Sequence, residues 1–340
     1  MGSASVKDVA LLAGVSVGTV SNVLNHPDRV AQATIDRVSS AIERLGFVRN
    51  AAASQLRAGL SRSVGLVVLD AANPFFTDLA RGAEDYAATQ GISVLVGNSG
   101  QDGVRESAYL DLFEEQRVRG VLITPVADVT QRLERLRARG IPAVLVDRST
   151  SSTDISSVAV DDVAGGYLAA SHLYSTGRRR LAFVGGPLSI RQVSDRLEGA
   201  RQAARDAGAG EPEVITASSM TILAGRSAGS ALQDRPAADR PDAVFAANDL
   251  LALGLLQGLM LQGSVSVPDE VALIGYDDID FAASAVVPLS SVRQNSASLG
   301  SSAMELLLDE FNAAPGFAHK QLITKPELVV RASTAGARGA

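Results

Sequence analysis

The chain has 340 residues, enough for two or three compact units with cores of their own. It contains no cysteine, which excludes disulfides and thiolate metal sites, and its three histidines, His26, His172 and His319, are too scattered to suggest a metal centre. The net charge of −6 divides unevenly: residues 1–62 carry seven Lys/Arg against four Asp/Glu, a net +3, and the remainder carries −9, as expected of a small head that touches phosphates on a body that does not.

Val6, Val9, Ala10 and Ala13 fall at helical spacing, with Ser5 as a cap and Gly14 as the left-handed stop. Ser16 then caps a second helix whose apolar face is Val20, Val23 and Leu24. Two short helices around a tight glycine turn make a helix-turn-helix, whose second helix enters the DNA major groove. Any small helical hairpin shares that outline. The outward face of the second helix distinguishes this one. Val17, Gly18, Thr19, Ser21 and Asn22 are small or amide side chains in place of a Glu/Lys mixture. Small residues let a helix sit deep in a groove, and Asn can bond adenine through two edge atoms. With Ser16 and Asn25 at the helix ends, these residues form the expected DNA-reading set.

The run Val9-Ala10-Leu11-Leu12-Ala13-Gly14-Val15-Ser16-Val17-Gly18-Thr19-Val20-Ser21-Asn22-Val23-Leu24-Asn25 resembles the opening of the lactose/galactose-repressor (LacI/GalR) family of bacterial regulators. The resemblance extends over nearly the whole chain. Most relatives carry Arg where this chain has Asn22.

After the loop Asn25-His26-Pro27-Asp28-Arg29, a third helix is expected from about Ala33 to Leu45. It turns Ile35, Val38, Ala41, Ile42 and Leu45 inward and stops at Gly46. Ala31 stands where the family usually has a Ser or Thr cap, a loss of about 1 kcal/mol. The stretch from Ala51 to Gly59 is either a marginal helix, too short to hold alone in water, or an Ala-rich tether. The resemblance implies the family's hinge helix, which folds on operator DNA and pairs with its dimer mate in the minor groove. Asn50, Ala53, Ser54, Leu56 and Arg57 would face DNA, with Leu56 as the apolar wedge that kinks it. Arg49 replaces the Pro that many relatives place before the Asn.

From Ser63 the pattern becomes alternating strands and helices. Val64–Leu69, Ile92–Val96, Val121–Thr124 and Ala143–Val146 are short apolar runs, as in strands buried on both faces. Helical stretches lie between them, at about Phe75–Gln90, Val104–Arg117 and Thr130–Arg139. Leu181–Val184, Val214–Thr216, Ala243–Ala246 and Val271–Gly275 form a second set. The expectation is an all-α helix-turn-helix head on an α/β core of two doubly wound parallel-sheet subdomains, like a periplasmic binding protein. A helix over about Ala297–Phe311 and a last strand at Glu327–Arg331 complete the chain. The domain limits read as 1–48 for the head, 49–61 for the hinge, 62–332 for the core and 333–340 for a tail. Within the core, one subdomain takes about 62–160 plus 292–320 and the other about 161–290 plus 321–332.

Asp and Asn recur at strand ends, in Asp70–Asn73, Asp147, Asp161-Asp162, Asn248-Asp249 and Asp277-Asp278. Taken singly, each is more simply a helix cap. Their recurrence favours a shared cleft, since ligands of open α/β sheets bind beyond the carboxyl ends of strands. Asn-Pro-Phe-Phe, Val-Asp-Arg, Arg196-Leu197-Glu198-Gly199, Ala-Asn-Asp and Gly-Tyr-Asp-Asp match blocks of the same family. That match implies that Arg196, Asn248 and Asp277 bond effector hydroxyls, Arg196 and Asp277 from opposite sides. Asp147, Phe76 and Gln294 would line the cleft. Met220 falls where relatives often place an aromatic, a role that Phe76, Phe281 or Tyr276 would have to fill.

The reading is a DNA-binding transcriptional regulator, a repressor whose operator affinity is set by a small polar ligand, a sugar or sugar derivative. Its implied partners are palindromic double-stranded operator DNA, the effector and a second copy of the chain, with no membrane, cofactor or metal. No secretory h-region or long apolar run is present, so a cytoplasmic location is expected. The rival is a solute-binding protein of a transport system, which needs a secretory signal and has no use for a helix-turn-helix. An enzyme is disfavoured, because no Ser/His/Asp set, phosphate loop or dinucleotide fingerprint occurs.

Overall fold

The computed structural model describes residues 4–47, 61–260, 265–314 and 316–335. The chain divides into two compact units, one ahead of Ser61 and one from Ser61 onward.

In the first unit α1 spans Val6–Ala13, α2 Val17–Asn25 and α3 Gln32–Leu45. Ser5 and Asp8 close a reciprocal capping box, and Gly14, at φ 64°, supplies the left-handed stop. The Ser16 hydroxyl accepts from the Thr19 amide at 3.0 Å. The chain bends by 102° between α1 and α2, the crossing expected of a helix-turn-helix. Val9, Ala10, Ala13, Val20, Val23, Val38 and Ala41 form the core, with Ile35, Ile42 and Leu45 packed half-buried against it. Ala31 offers α3 no side-chain cap.

The second unit holds two six-stranded sheets. The first has strand order β11-β5-β4-β3-β1-β2, with β1 Ser63–Val68, β2 Ser93–Asn98, β3 Val121–Ile123, β4 Ala143–Val146, β5 Ser156–Val160 and β11 Gln321–Thr324. All its pairings are parallel. The second has order β12-β10-β9-β8-β6-β7, with β6 Leu181–Gly185, β7 Glu213–Thr216, β8 Ala243–Ala246, β9 Ala272–Asp277, β10 Ser290–Arg293 and β12 Glu327–Val329. There only the β10–β12 pair is antiparallel. The helices are α4 Pro74–Thr89, α5 Gly103–Glu115, α6 Thr130–Ala138, α7 Asp162–Ser175, α8 Arg191–Asp206, α9 Ile222–Gln233, α10 Asp249–Met260, α11 Asp280–Ala283 and α12 Ser296–Asn312. Paired helices touch at glycines. A Cβ on Gly82 of α4 would collide with the Ala297 carbonyl of α12, and one on Gly225 of α9 with the Leu251 carbonyl of α10.

The subdomain limits differ from the sequence reading at four places. Ser61 is already buried in the second unit. β10 pairs with β9, so residues 292–293 belong to the second sheet. β11 pairs with β5, so residues 321–324 belong to the first. β5 and β11 went unread, and all four residues of β11 are exposed, so no apolar alternation marks it. Ser333 and Thr334 are buried in the second subdomain and are not tail: the Ser333 hydroxyl accepts from the Ser290 amide at 2.8 Å and donates to the Leu273 carbonyl.

Candidate functional site

In the head, α2 leaves Ser16, Val17, Gly18, Asn22 and Asn25 exposed and Thr19 and Ser21 half-exposed. Thr19 Oγ1 lies 2.9 Å from Ser16 Oγ, and Asn25 Nδ2 donates to the Ser21 carbonyl at 2.8 Å, which ties both to their own helix. Asn22 is exposed, and among the described residues its side-chain amide makes no hydrogen bond. The hinge residues Asn50, Ala53, Ser54, Leu56 and Arg57 lie outside the described residues.

In the second unit, a narrow cavity of about 30 Å³ lies at the carboxyl ends of the strands, where open α/β sheets bind ligands. Phe76, Asp147, Arg196, Met220, Asn248 and Asp277 all line it. Gln294 stands behind them, donating from Nε2 to Asp277 Oδ1 at 2.8 Å. Arg196 and Asp277 do not face each other across the cleft. Both come from the second subdomain, on α8 and β9, with Nη1 4.0 Å from Oδ1.

Among the described residues, two side-chain pairings join the subdomains, and Gln294 braces one of them from the second subdomain. Asn73 Nδ2 donates to Asp277 Oδ2 at 3.0 Å. Gln192 Nε2 donates to Asp147 Oδ2 at 3.0 Å and to the Asp147 carbonyl. Gln294, at the crossing after β10, holds the other Asp277 oxygen. Arg196 is held by protein alone: Nε donates to Asp162 at 2.8 Å, Nη1 to the Ala247 carbonyl at 2.7 Å, and the guanidinium lies 3.7 Å above the centroid of Tyr276. Among the described residues, Asp147 Oδ1, Gln192 Oε1 and Gln294 Oε1 are buried without a partner. The two amide oxygens are acceptors, open to the donors of a ligand.

The backbone is strained at the same place. Asp147, Asp277 and Asp278 have φ of 54°, 105° and 56°, a region that non-glycine residues rarely enter. Such residues cost about 1–3 kcal/mol each and gather at ligand sites. Burial, followed by the charge of Asp162, pushes the Asp147 carboxyl up to about 8. Burial pushes Asp277 up to about 6, against the pull of Arg196. Burial also works against the charge on Arg196, but Asp162, Tyr276 and Asp277 outweigh it and hold the guanidinium above its ordinary value.

Besides Asp147, Asp162 and Asp277, most strand-end carboxylates and amides act as caps or braces. Asn73 and Asn248 are caps that also line the cleft, accepting from Phe75 N at 3.1 Å and Leu251 N at 2.9 Å. Asp161 is a cap only. Asp249 and Asp278 brace the second subdomain, Asp249 through Ser291 and Ile279, and Asp278 through Arg293 and Arg331. Tyr276 carries Arg196 and leaves the cleft lining to others, while Phe281 is 58% exposed. Asn73 lines the cleft as its strand-end position suggested, and Phe75, Ile190 and Gln192 are lining residues that sequence reading missed. Gln192 lies one helical turn before Arg196, a spacing that places both on one face of α8.

Residues 5–50 match the pattern of "Bacterial regulatory proteins, lacI family", and residues 170–334 that of the "Periplasmic binding protein-like domain". The repressor PurR of Vibrio atlanticus (strain LGP32) is 32% identical over 97% of this chain and 98% of its own length. The chain belongs to the LacI family. It is a DNA-binding transcriptional regulator of the repressor type, with a core of the periplasmic-binding-protein kind. The family regulates transcription, so the transport-protein and enzyme readings fall away. The structure of a transcriptional regulator CelR–cellobiose complex is 32% identical, with a TM-score of 0.72 over 97% of this chain and 99% of that one. A lac repressor dimer bound to operator and the anti-inducer ONPF is 25% identical, with a TM-score of 0.81 over 98% and 99%.

Proposed function

We propose that this LacI-family regulator reads a palindromic operator as a homodimer through the α2 face of Ser16, Val17, Gly18, Thr19, Ser21, Asn22 and Asn25. A small polar effector, a sugar or sugar derivative, binds among Phe76, Asp147, Arg196, Met220, Asn248, Asp277 and Gln294. A two-fold protein matches a palindromic site, and the operator-bound lac repressor dimer supports that arrangement. The CelR–cellobiose complex supports a carbohydrate effector. The chain works in the cytoplasm, where its operator is. Among the described residues no single helix is long and apolar enough to cross a membrane.

The observation that carries the effector reading is the Asn73–Asp277 and Gln192–Asp147 pairing across the cleft. A ligand that replaces these bonds changes the closure of the two subdomains. It shifts DNA affinity as far as it prefers one closure over the other. Residues 49–61 are the proposed hinge, with Asn50, Ala53, Ser54, Leu56 and Arg57 facing the minor groove.

The test is a gel shift on genomic fragments with and without candidate effectors. Asp277→Asn should lose the response to effector, and its operator affinity without effector reads how far the Asn73 contact sets closure. An unchanged effector response would remove Asp277 from the site. Leu56→Ala should lower specific affinity and DNA bending with little change in salt slope.

A further inference from the structure

A second cavity, of about 160 Å³, lies beside the cleft, lined by Arg148, Ser149, Thr150 and Ser151 after β4, by the start of α6 and by Arg191 at the start of α8. Neighbouring residues in the chain divide between the two cavities: Asp147 and Gln192 line the cleft, and Arg148 and Arg191 line the second space. One arginine comes from each subdomain.

Arg148 is half-buried, and among the described residues it makes no hydrogen bond or ion pair. Burial lowers its pKa, and the next cause is the like charge of Arg191. Three carboxylates pull the other way, Asp195, Asp128, which also lines this space, and Asp147, each bonded to another group. Asp195 is held by Arg191 Nε at 3.3 Å. Asp128 accepts from the Thr130 amide at 2.9 Å and from its hydroxyl at 2.6 Å. A guanidinium taken partly out of water with no partner and a like charge nearby is costly. An anion between the two arginines removes that cost. Arginine presents a planar fork of donors that suits phosphate oxygens, and three consecutive hydroxyls supply further donors.

We propose that Arg148 and Arg191, with the hydroxyls of Ser149, Thr150 and Ser151, form a phosphoryl-binding subsite that bridges the two subdomains at the rim of the cleft. A dianion there ties the subdomains together and favours closure. The phosphoryl group is either free phosphate or part of the cleft ligand. Only the second case rests on the effector reading given above.

The experiment is isothermal titration of the full-length protein at constant ionic strength with inorganic phosphate, glucose, glucose 6-phosphate, ribose and ribose 5-phosphate. Wild type is compared with Arg148→Gln, Arg191→Gln, Asp277→Asn and the exposed control Arg105→Gln. Because Arg148 makes no hydrogen bond or ion pair among the described residues, its variant should melt at or above wild type. Inorganic phosphate should bind wild type in the millimolar range or tighter, and Arg148→Gln should weaken it about tenfold or more, as loss of a charged hydrogen bond does. Arg105→Gln should leave it unchanged. If the group belongs to the cleft ligand, one sugar phosphate binds at least tenfold tighter than its parent sugar, and both Arg148→Gln and Asp277→Asn weaken it. Failure of inorganic phosphate to bind, or equal binding by the arginine variants, overturns the subsite. A parent sugar that matches its phosphate ester and depends on Asp277 overturns the bridging role for an ester and leaves the cleft reading standing. A parent sugar indifferent to Asp277→Asn counts against the cleft reading alone.

Discussion

The DNA-reading helix and the cleft are built on opposite plans. α2 presents small side chains to water, and what they bond is their own helix, as in Ser16–Thr19 and Asn25–Ser21. The cleft presents buried charges that bond one another across two subdomains, with Arg196 and Asp277 4% and 6% exposed. A surface of the first kind meets a rigid partner at once, with little to undo. A site of the second kind must break its own contacts to bind. That requirement suits a regulator, because the broken contacts Asn73–Asp277 and Gln192–Asp147 are the ones that fix closure. Substitutions in the cleft should therefore change folding, and those on α2 should change only recognition.

The largest expected effect sharpens that contrast. Arg196→Met leaves Asp162 buried without its partner, since the 2.8 Å pair is lost. Breaking a buried pair from one side typically costs about 3–5 kcal/mol. Asn22→Ala, by comparison, should cost under about 0.5 kcal/mol. Urea unfolding of both variants measures the difference, and similar losses would erase the distinction.

The second effect depends on pH. Asp147 and Asp277 are pushed up to about 8 and about 6, while an unfolded Asp titrates near about 3.9. Between those values the folded chain holds protons that the unfolded chain has lost. The share of stability due to these two protons is therefore full below about pH 4 and falls as pH rises, until about 6 for Asp277 and about 8 for Asp147. The slope reaches up to about 1.4 kcal/mol per pH unit for each proton. Asp147→Asn should flatten the fall between pH 6 and 8, read from urea midpoints across that range. Parallel curves for variant and wild type would show that Asp147 ionises freely in the cleft.

The third effect belongs to the reading helix. Asn22→Arg replaces a side chain that prefers adenine with one that prefers guanine, so the selected operator should change at one symmetric pair of positions, by about 1–3 kcal/mol each. Selection from random DNA checks it, and one consensus for both proteins would take Asn22 out of base reading. The smallest effect is Ala31→Ser, which should stabilise the head by about 1 kcal/mol by capping α3. It should leave effector response untouched, and a thermal melt of the head transition measures it.

Much of this molecule was legible in its sequence because the deciding forces are local. Ser5, Gly14, Ser16 and Gly46 fix helix ends by bonds within a few residues, and the head's apolar residues repeat at the helical period. The buried strands β1, β4, β8 and β9 announce themselves as short apolar runs. What the sequence could not decide is which side chains meet. Asn73 and Asp277 are 204 residues apart in the chain, and Gln192 and Asp147 are 45 apart. Arg196 spends its donors on Asp162 and the Ala247 carbonyl, and Tyr276 lies beneath it and away from the cleft lining. β11 joins the first sheet through backbone bonds to β5 that leave no mark on its exposed side chains. Backbone pairing and buried charge depend on neighbours brought by the fold, so the path of the chain between the two sheets and the protonation of Asp147 and Asp277 were settled only in three dimensions.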